Sequence, residues 1–126
     1  MKKLISSLLL ATTLCFAGTA AADSIANVYT CELKDDMEIE DVQAQNSIWL
    51  KWVNEHVEGG GVTSAVGTAV VGDQDIFLFI DTYPSLSSWA ATQEALDSDA
   101  ADELEELFED TNDCSENRLW KIESTK

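Results

Sequence analysis

The side chains best suited to acid–base chemistry in this sequence are those of His56, Asp81 and Tyr83. His56 is the single histidine, and imidazole is the side chain whose unperturbed pKa lies nearest neutrality. Asp81 follows five consecutive apolar residues, where a carboxylate is costly to bury unless it is paired. These residues predict a catalytic site in which His56 is the general base and Asp81 or Tyr83 orients a substrate or a proton.

Two tryptophans, Trp52 and Trp89, are the expected ligand-binding partners of that site, because aromatic walls with few polar groups suit a small apolar ligand. Asn46 adds one more polar group. For each of these residues a purely structural role stays open. The tryptophans can pack in the core, His56 can cap the negative end of a helix, and Asp81 can lie in water at a strand end.

Several kinds of site are excluded by what the sequence lacks. It has no GxSxG motif for a serine hydrolase and no CxxC motif for a redox dithiol. A single histidine leaves no Cys/His zinc set, so neither a metal site nor a cofactor is predicted. With 24 acidic and seven basic residues the formal net charge is −17, which excludes nucleic acid as a partner.

Residues 1–22 are typical of a secretory signal peptide. Lys2 and Lys3 precede an apolar stretch from Leu4 to Phe16, and small residues precede a cleavage site before Asp23. The remaining residues, 23–126, are predicted to form one domain that is periplasmic or secreted and has no membrane segment. Its formal net charge is −19, because both leader lysines are removed. Export to an oxidising compartment favours a disulfide between Cys31 and Cys114.

The apolar periodicity predicts the element order β-α-β-β-α-β. Strands are expected at 27–34, 62–71, 76–83 and 117–123, and helices at 39–56 and from Ser85 onward, the latter with a further helical segment at 99–110. This order predicts an α+β, ferredoxin-like fold, in which a four-stranded antiparallel sheet carries its helices on one face. In that sheet the first and last strands are neighbours, which brings Cys31 close to Cys114.

The third strand, "IFLFIDTY", is apolar on both faces. Helices cover one face only, so the other face would be an apolar patch too large for a monomer. A second copy of the chain, related by a two-fold axis, is the simplest cover, which predicts a homodimer.

An apolar third strand that ends in acid–x–aromatic, here Asp81 and Tyr83, and is followed by a helix resembles the dimeric α+β barrel superfamily. That superfamily includes antibiotic-biosynthesis monooxygenase-like, NIPSNAP-like and muconolactone-isomerase-like proteins. The resemblance runs from about Val28 to Ile122 and implies a ligand site between helices and sheet. Where monooxygenase-like members often carry a histidine on the next helix, this chain has Trp89, Thr92 and Gln93.

Two classes of function therefore stay open, and whether the chain is an enzyme is left undecided. One is a small exported protein that binds a small hydrophobic molecule or acts as a non-catalytic dimer. The other is a cofactor-independent monooxygenase or isomerase acting on a small hydrophobic substrate.

Overall fold

A computed structural model describes residues 23–125, so the predicted signal peptide lies outside the described part of the chain. The described elements are β1 (Ser24–Leu33), α1 (Ile39–His56), β2 (Thr63–Thr68), β3 (Ile76–Tyr83), α2 (Leu86–Leu96), a 3₁₀ turn (Asp99–Ala101), α3 (Asp102–Thr111) and β4 (Asn112–Ile122). All three strand pairs are antiparallel, and the spatial order is β2-β3-β1-β4. The predicted α+β, ferredoxin-like fold is confirmed.

The helix boundaries follow from local capping. At the start of α1, Glu38 and Asp41 form a capping box, in which the Asp41 carboxylate accepts a hydrogen bond from the Glu38 N–H at 2.9 Å. At the start of α2, the Ser85 hydroxyl accepts from the Ser88 N–H at 3.1 Å, which confirms the predicted N-cap. After α1 the chain reverses through Gly59–Gly61, which all have positive φ values.

β3 alternates between the two faces of the sheet. Phe77, Phe79, Asp81 and Tyr83 are buried beneath the helices, whereas the residues between them, such as Leu78, are only half-buried on the opposite face. Asp81 therefore belongs to the helix-covered face and does not lie in water at a strand end. Its position between Phe79 and Tyr83 places a carboxyl group within the apolar layer.

β4 begins five residues earlier than the sequence predicted. The prediction missed "NDCSE" because these polar residues have low strand propensity. Pairing overrides that propensity, since Asn112 lies opposite Leu33 and Cys114 opposite Cys31 on β1. The structure contains the predicted disulfide between those two cysteines, and it fixes the start of β4 to β1.

The sheet face away from the helices is largely apolar. Leu78 and Ile80 of β3 are half-buried there, and Trp120 and Ile122 of β4 are 48% and 47% exposed. On β2 the residues opposite Ile80 and Leu78 are the small Ala65 and Gly67, so these β3 side chains remain accessible. No helix within residues 23–125 has both the length and the apolar character that a membrane span requires.

Candidate functional site

The buried face of α1 forms one wall of a cavity. Its buried residues are Val42, Gln45, Asn46, Trp49 and Val53, with the spacing of one helical stripe. Two of them, Asn46 and Trp49, line the cavity. The helix therefore contributes one polar amide and one large aromatic ring to the same wall.

The cavity lies between the helices and the sheet and has a volume of about 530 Å³. Its apolar and aromatic lining comes from Tyr29, Trp49, Phe79, Tyr83, Leu96, Leu104, Phe108 and Cys114. Its polar lining comes from Asn46, Asp81, Glu105, Glu109, Asn112 and Asp113. Volume and composition are those of a small-molecule pocket, which is mostly apolar and carries a few convergent polar groups.

Three polar residues lie side by side across the centre of the sheet, on the face beneath the helices. Asp81 of β3 is directly opposite Asn27 of β1 and directly opposite Ser64 of β2. We call Asn27, Asp81 and Ser64 the polar row. Side chains that face each other across an antiparallel pair lie about 5 Å apart at Cβ, so the three groups form one cluster.

Hydrogen bonds connect one end of the polar row to α1. Asn46 Nδ2 donates to Ser64 Oγ at 2.8 Å, and Ser64 Oγ donates to Asp81 Oδ1 at 2.5 Å. At the other end, Asn27 Nδ2 donates to the Tyr29 hydroxyl at 2.9 Å. The Oδ1 atom of Asn27 is buried and accepts no hydrogen bond from the described residues.

Burial raises the pKa of Asp81 to about 6, although the hydrogen bond from Ser64 acts in the opposite direction. The side chain is only 4% exposed. Within residues 23–125 no basic side chain forms an ion pair with it, and Ser64 supplies its single hydrogen bond. Asp81 is therefore a carboxyl group that gains or loses its proton near neutral pH inside an apolar cavity.

Two tyrosines of the cavity wall keep their protons. Burial raises the pKa of Tyr83, and the negative charge of Asp81 raises it further, followed by Tyr29. Burial and then Asp81 also raise the pKa of Tyr29, against the hydrogen bonds from Asn27 and Asn117. Both hydroxyls remain neutral and able to donate a hydrogen bond at physiological pH.

Three exposed acids, Glu105, Glu109 and Asp113, line the cavity where α3 meets β4, and we call them the acidic rim. Lys34 lies beside them, with Nζ hydrogen-bonded to the Glu109 carbonyl oxygen and 3.8 Å from Asp113 Oδ1. Two residues next to the rim, Thr111 and Asn112, are hydrogen-bonded to Gln45 of α1. Gln45 Oε1 accepts hydrogen bonds from Thr111 Oγ1 and Asn112 Nδ2.

The structure brings together only part of the predicted site. Asp81 and Tyr83 line the cavity, but His56, Trp52 and Trp89 do not. His56 is exposed at the end of α1, where its ring stacks on Trp52 at 4.2 Å between centroids. Trp52 and Trp89 are half-buried at the margin of the core.

His56 was expected in the cavity, and the structure places it outside for a geometrical reason. The buried stripe of α1 runs through Gln45 and Trp49 but continues to Val53 and Val57, so it moves around the helix toward its end. Position 56 falls beside that line and reaches solvent. His56 therefore cannot share a pocket with Asp81 in this arrangement.

The sequence did not single out Asn27 or Ser64. Each lies in a predicted strand as an ordinary polar residue, and nothing in its own neighbourhood marks it. The signal appears only with the strand register, because both are partners of Asp81. Asn46, which the sequence did suggest, completes the connection to α1.

The arrangement can accept a proton at Asp81 and donate hydrogen bonds from two tyrosines toward an apolar ligand. Among the described residues, no group of three or more His, Cys, Asp and Glu side chains is placed to hold a metal ion. The described residues of the cavity can therefore supply ligand contacts and proton transfer.

No protein-family model matches the sequence, and no curated protein has significant similarity to it. Solved structures do share the fold. An uncharacterized NIPSNAP-like domain protein from Burkholderia xenovorans is 11% identical with a TM-score of 0.58, and the match covers 83% of this chain and 90% of that one. SnoaB, a cofactor-independent oxygenase from Streptomyces nogalater, is 10% identical with a TM-score of 0.56, covering 82% and 97%.

A third similar structure is the hydroxynitrile lyase from Passiflora edulis, which is 12% identical with a TM-score of 0.54, covering 83% of this chain and 98% of that one. At these identities the likeness shows the fold alone. This likeness of architecture supports the resemblance to the dimeric α+β barrel superfamily that the third strand suggested.

Proposed function

We propose that this chain, which has the ferredoxin-like fold of the dimeric α+β barrel superfamily, binds a small, mainly apolar molecule in the cavity between its helices and its sheet. The observation that carries the proposal is Asp81, a buried carboxyl group without a basic partner among the described residues, set in an otherwise largely apolar cavity wall. Trp49, Phe79 and Phe108 supply the apolar contact surface, and Asp81 is the polar anchor.

A carboxylate buried without a counter-charge lowers stability, and such departures from good packing are expected at functional sites. The cavity volume of about 530 Å³ also lies within the range of roughly 300–1,000 Å³ that small-molecule pockets occupy. Both features have one explanation if a ligand enters the cavity and reaches Asp81.

A cavity-filling variant tests this proposal. Leu96 is half-buried and lines the cavity, whereas Leu86 lies on the same helix and is 55% exposed. We expect Leu96→Trp to abolish binding of cavity ligands and Leu86→Trp to leave it unchanged. The measurement is NMR titration with a panel of one-ring and two-ring aromatic alcohols, ketones and amines, followed at the Trp49 indole N–H. If no panel member shifts that resonance, or if Leu96→Trp binds as the native protein does, the proposal is wrong.

A proton-transfer enzyme is the second candidate function, and the pKa of Asp81 near 6 favours it because a general base works best near the ambient pH. In an isomerase, the Asp81 carboxylate would remove a proton from a carbon beside a carbonyl group and return it to another carbon. A Tyr83 or Tyr29 hydroxyl would donate a hydrogen bond to the enolate oxygen. No electrons are gained or lost, so no cofactor is required.

Asp81→Asn separates the two candidates. The amide keeps the shape of the carboxyl group but does not accept a proton. For an enzyme, a substrate identified by screening should still bind while turnover is lost, and Asp75→Asn, outside this cavity, should retain turnover. If a substrate is turned over by the Asp81→Asn variant at the native rate, Asp81 is not the base. His56→Ala is expected to leave turnover unchanged, because His56 lies outside the cavity.

The apolar sheet face supports a two-fold homodimer that packs sheet against sheet. Leu78, Ile80 and Trp120 supply its apolar area. Glu116 and Arg118 lie beside it on β4 as an ion pair at 3.1 Å, and such a pair can be exchanged with that of an identical partner across a two-fold axis. A strongly acidic chain repels copies of itself, so this apolar face is the surface best able to offset that repulsion. The disulfide supports an exported, periplasmic or secreted location.

A further inference from the structure

We infer that the ligand of this cavity carries a protonated amine, which binds at Asp81 while the apolar part of the molecule packs on Trp49 and Phe108. The inference rests on the proposed function and specifies its ligand class. Three features of the structure support it, and they concern charge, hydrogen bonding and access.

The charge of the cavity has one sign. Its ionisable lining residues, apart from the two tyrosines, are Asp81 and the three acids of the rim, and among the described residues no lysine, arginine or histidine lines it. One basic group, Lys34, contacts the rim, where Asp113 and a carbonyl oxygen hold it. One ammonium group from Lys34 opposes three rim carboxylates, and none opposes Asp81.

The carboxylate of Asp81 accepts fewer hydrogen bonds than it can. Asp81 has two carboxylate oxygens and accepts one hydrogen bond from the described residues, from Ser64. Asn27, which lies directly opposite it, is only 1% exposed and does not line the cavity, so the acceptor that a ligand meets is Asp81. An ammonium group has three donors and no acceptor, which is the complement of a carboxylate that accepts a single hydrogen bond. An alcohol would supply one donor, and a carboxylate would supply none.

Access to the cavity favours a cation as well. Glu105, Glu109 and Asp113 are exposed, so their charges act on a ligand approaching from solvent. Such a field attracts cations, repels anions and weakens with salt. The rim therefore accelerates entry of an amine, and Asp81 holds it.

The test compares three molecules of nearly the same size: 2-phenylethylamine, 2-phenylethanol and phenylacetate. Binding to the native protein is measured by NMR titration at the Trp49 indole N–H, at pH 7.5 and low salt. We expect the amine to bind at least about tenfold tighter than the alcohol, because a charge-assisted hydrogen bond replaces a neutral one. We expect the acid not to bind. If the alcohol binds as tightly as the amine, the inference is wrong and the proposed binding function stands; if none of the three shifts the resonance, both are wrong.

Two variants locate the preference within the cavity. Asp81→Asn should remove it, so that amine and alcohol bind about equally. The double variant Glu105→Gln, Glu109→Gln should weaken amine binding less, and that loss should vanish at high salt because exposed charges are screened. A preference that survives Asp81→Asn but disappears in the rim variant would overturn the placement at Asp81. The comparison on the native protein decides the ligand class independently of how either variant folds.

Discussion

Replacing Asp81 by asparagine should stabilise the folded protein, which is unusual for a change at a buried polar residue. The folded-state pKa of this carboxyl group is about 6, raised from an ordinary value of 3.8. Because the folded state holds the proton more tightly than the unfolded state, stability is highest below the ordinary value and is lost as the pH rises through the folded value. Asparagine has no charge to lose, so the variant should not show this loss.

The size of the effect follows from the shift. Two pKa units correspond to about 3 kcal/mol at pH values above both pKa values. The amide oxygen can still accept the hydrogen bond from Ser64. Residue 81 also lies opposite Asn27, whose Oδ1 accepts no hydrogen bond from the described residues, so an amide adds a donor beside it. For a domain of this length, about 3 kcal/mol corresponds to an increase in Tm of roughly 10 °C or more.

The assay is urea unfolding of the native protein and of Asp81→Asn at pH values from 4 to 8. The two free energies of unfolding should be similar near pH 4 and diverge up to about pH 7, with the variant more stable. Asp75→Asn is the control, since Asp75 is exposed immediately before the same strand and the substitution removes the same charge. The other ionisable groups of the cavity, Tyr29, Tyr83 and the acidic rim, are unchanged in both variants. A variant that is equal to or less stable than the native protein at pH 7.5 would refute the reasoning.

Three further predictions concern the fold and its assembly. Joint replacement of Cys31 and Cys114 by serine should lower the free energy of unfolding by about 4–5 kcal/mol, because the bridge closes a loop with a sequence separation of 83; urea unfolding checks this, and an unchanged midpoint would contradict it. Leu78→Asp should convert the proposed dimer to a folded monomer, which light scattering at micromolar concentration together with circular dichroism would show; a native protein that is already monomeric would contradict the dimer. Ser85→Ala should cost about 1 kcal/mol through loss of the α2 N-cap, measured against Ser87→Ala on the exposed side of that helix.

The fold could be predicted from the sequence because local patterns agree with it. The helical stripe of α1, the N-cap at Ser85 and the double apolar face of β3 each identify one element, and their order permits few topologies. The early start of β4 could not be predicted in this way. Its first residues pair with β1 against their own propensity, so the pairing depends on tertiary context.

The candidate site was predictable only where a single position carried the signal. Asp81 stands out because an acid interrupts an apolar strand. Asn27 and Ser64 become meaningful only when the register places them on either side of it, and a shift of one residue would turn both toward the opposite face. His56 had the right chemistry and nearly the right helical phase, but the line of contact along α1 moves away from it. The residue type indicated a base, but the structure places His56 outside the cavity and Asp81 in its wall.

The expected stability cost of Asp81 and the proposed ligand preference have the same origin. An uncompensated carboxylate in the sheet weakens the empty protein, and the same carboxylate gives a cationic ligand more binding energy than a neutral one of equal shape. Ligand binding then restores stability by an amount that rises with ligand concentration over Kd. Saturating 2-phenylethylamine should therefore raise the Tm of the native protein more than that of Asp81→Asn, whereas 2-phenylethanol should raise both equally. If the amine stabilises the two proteins to the same extent, the charge of Asp81 contributes to stability but not to ligand choice.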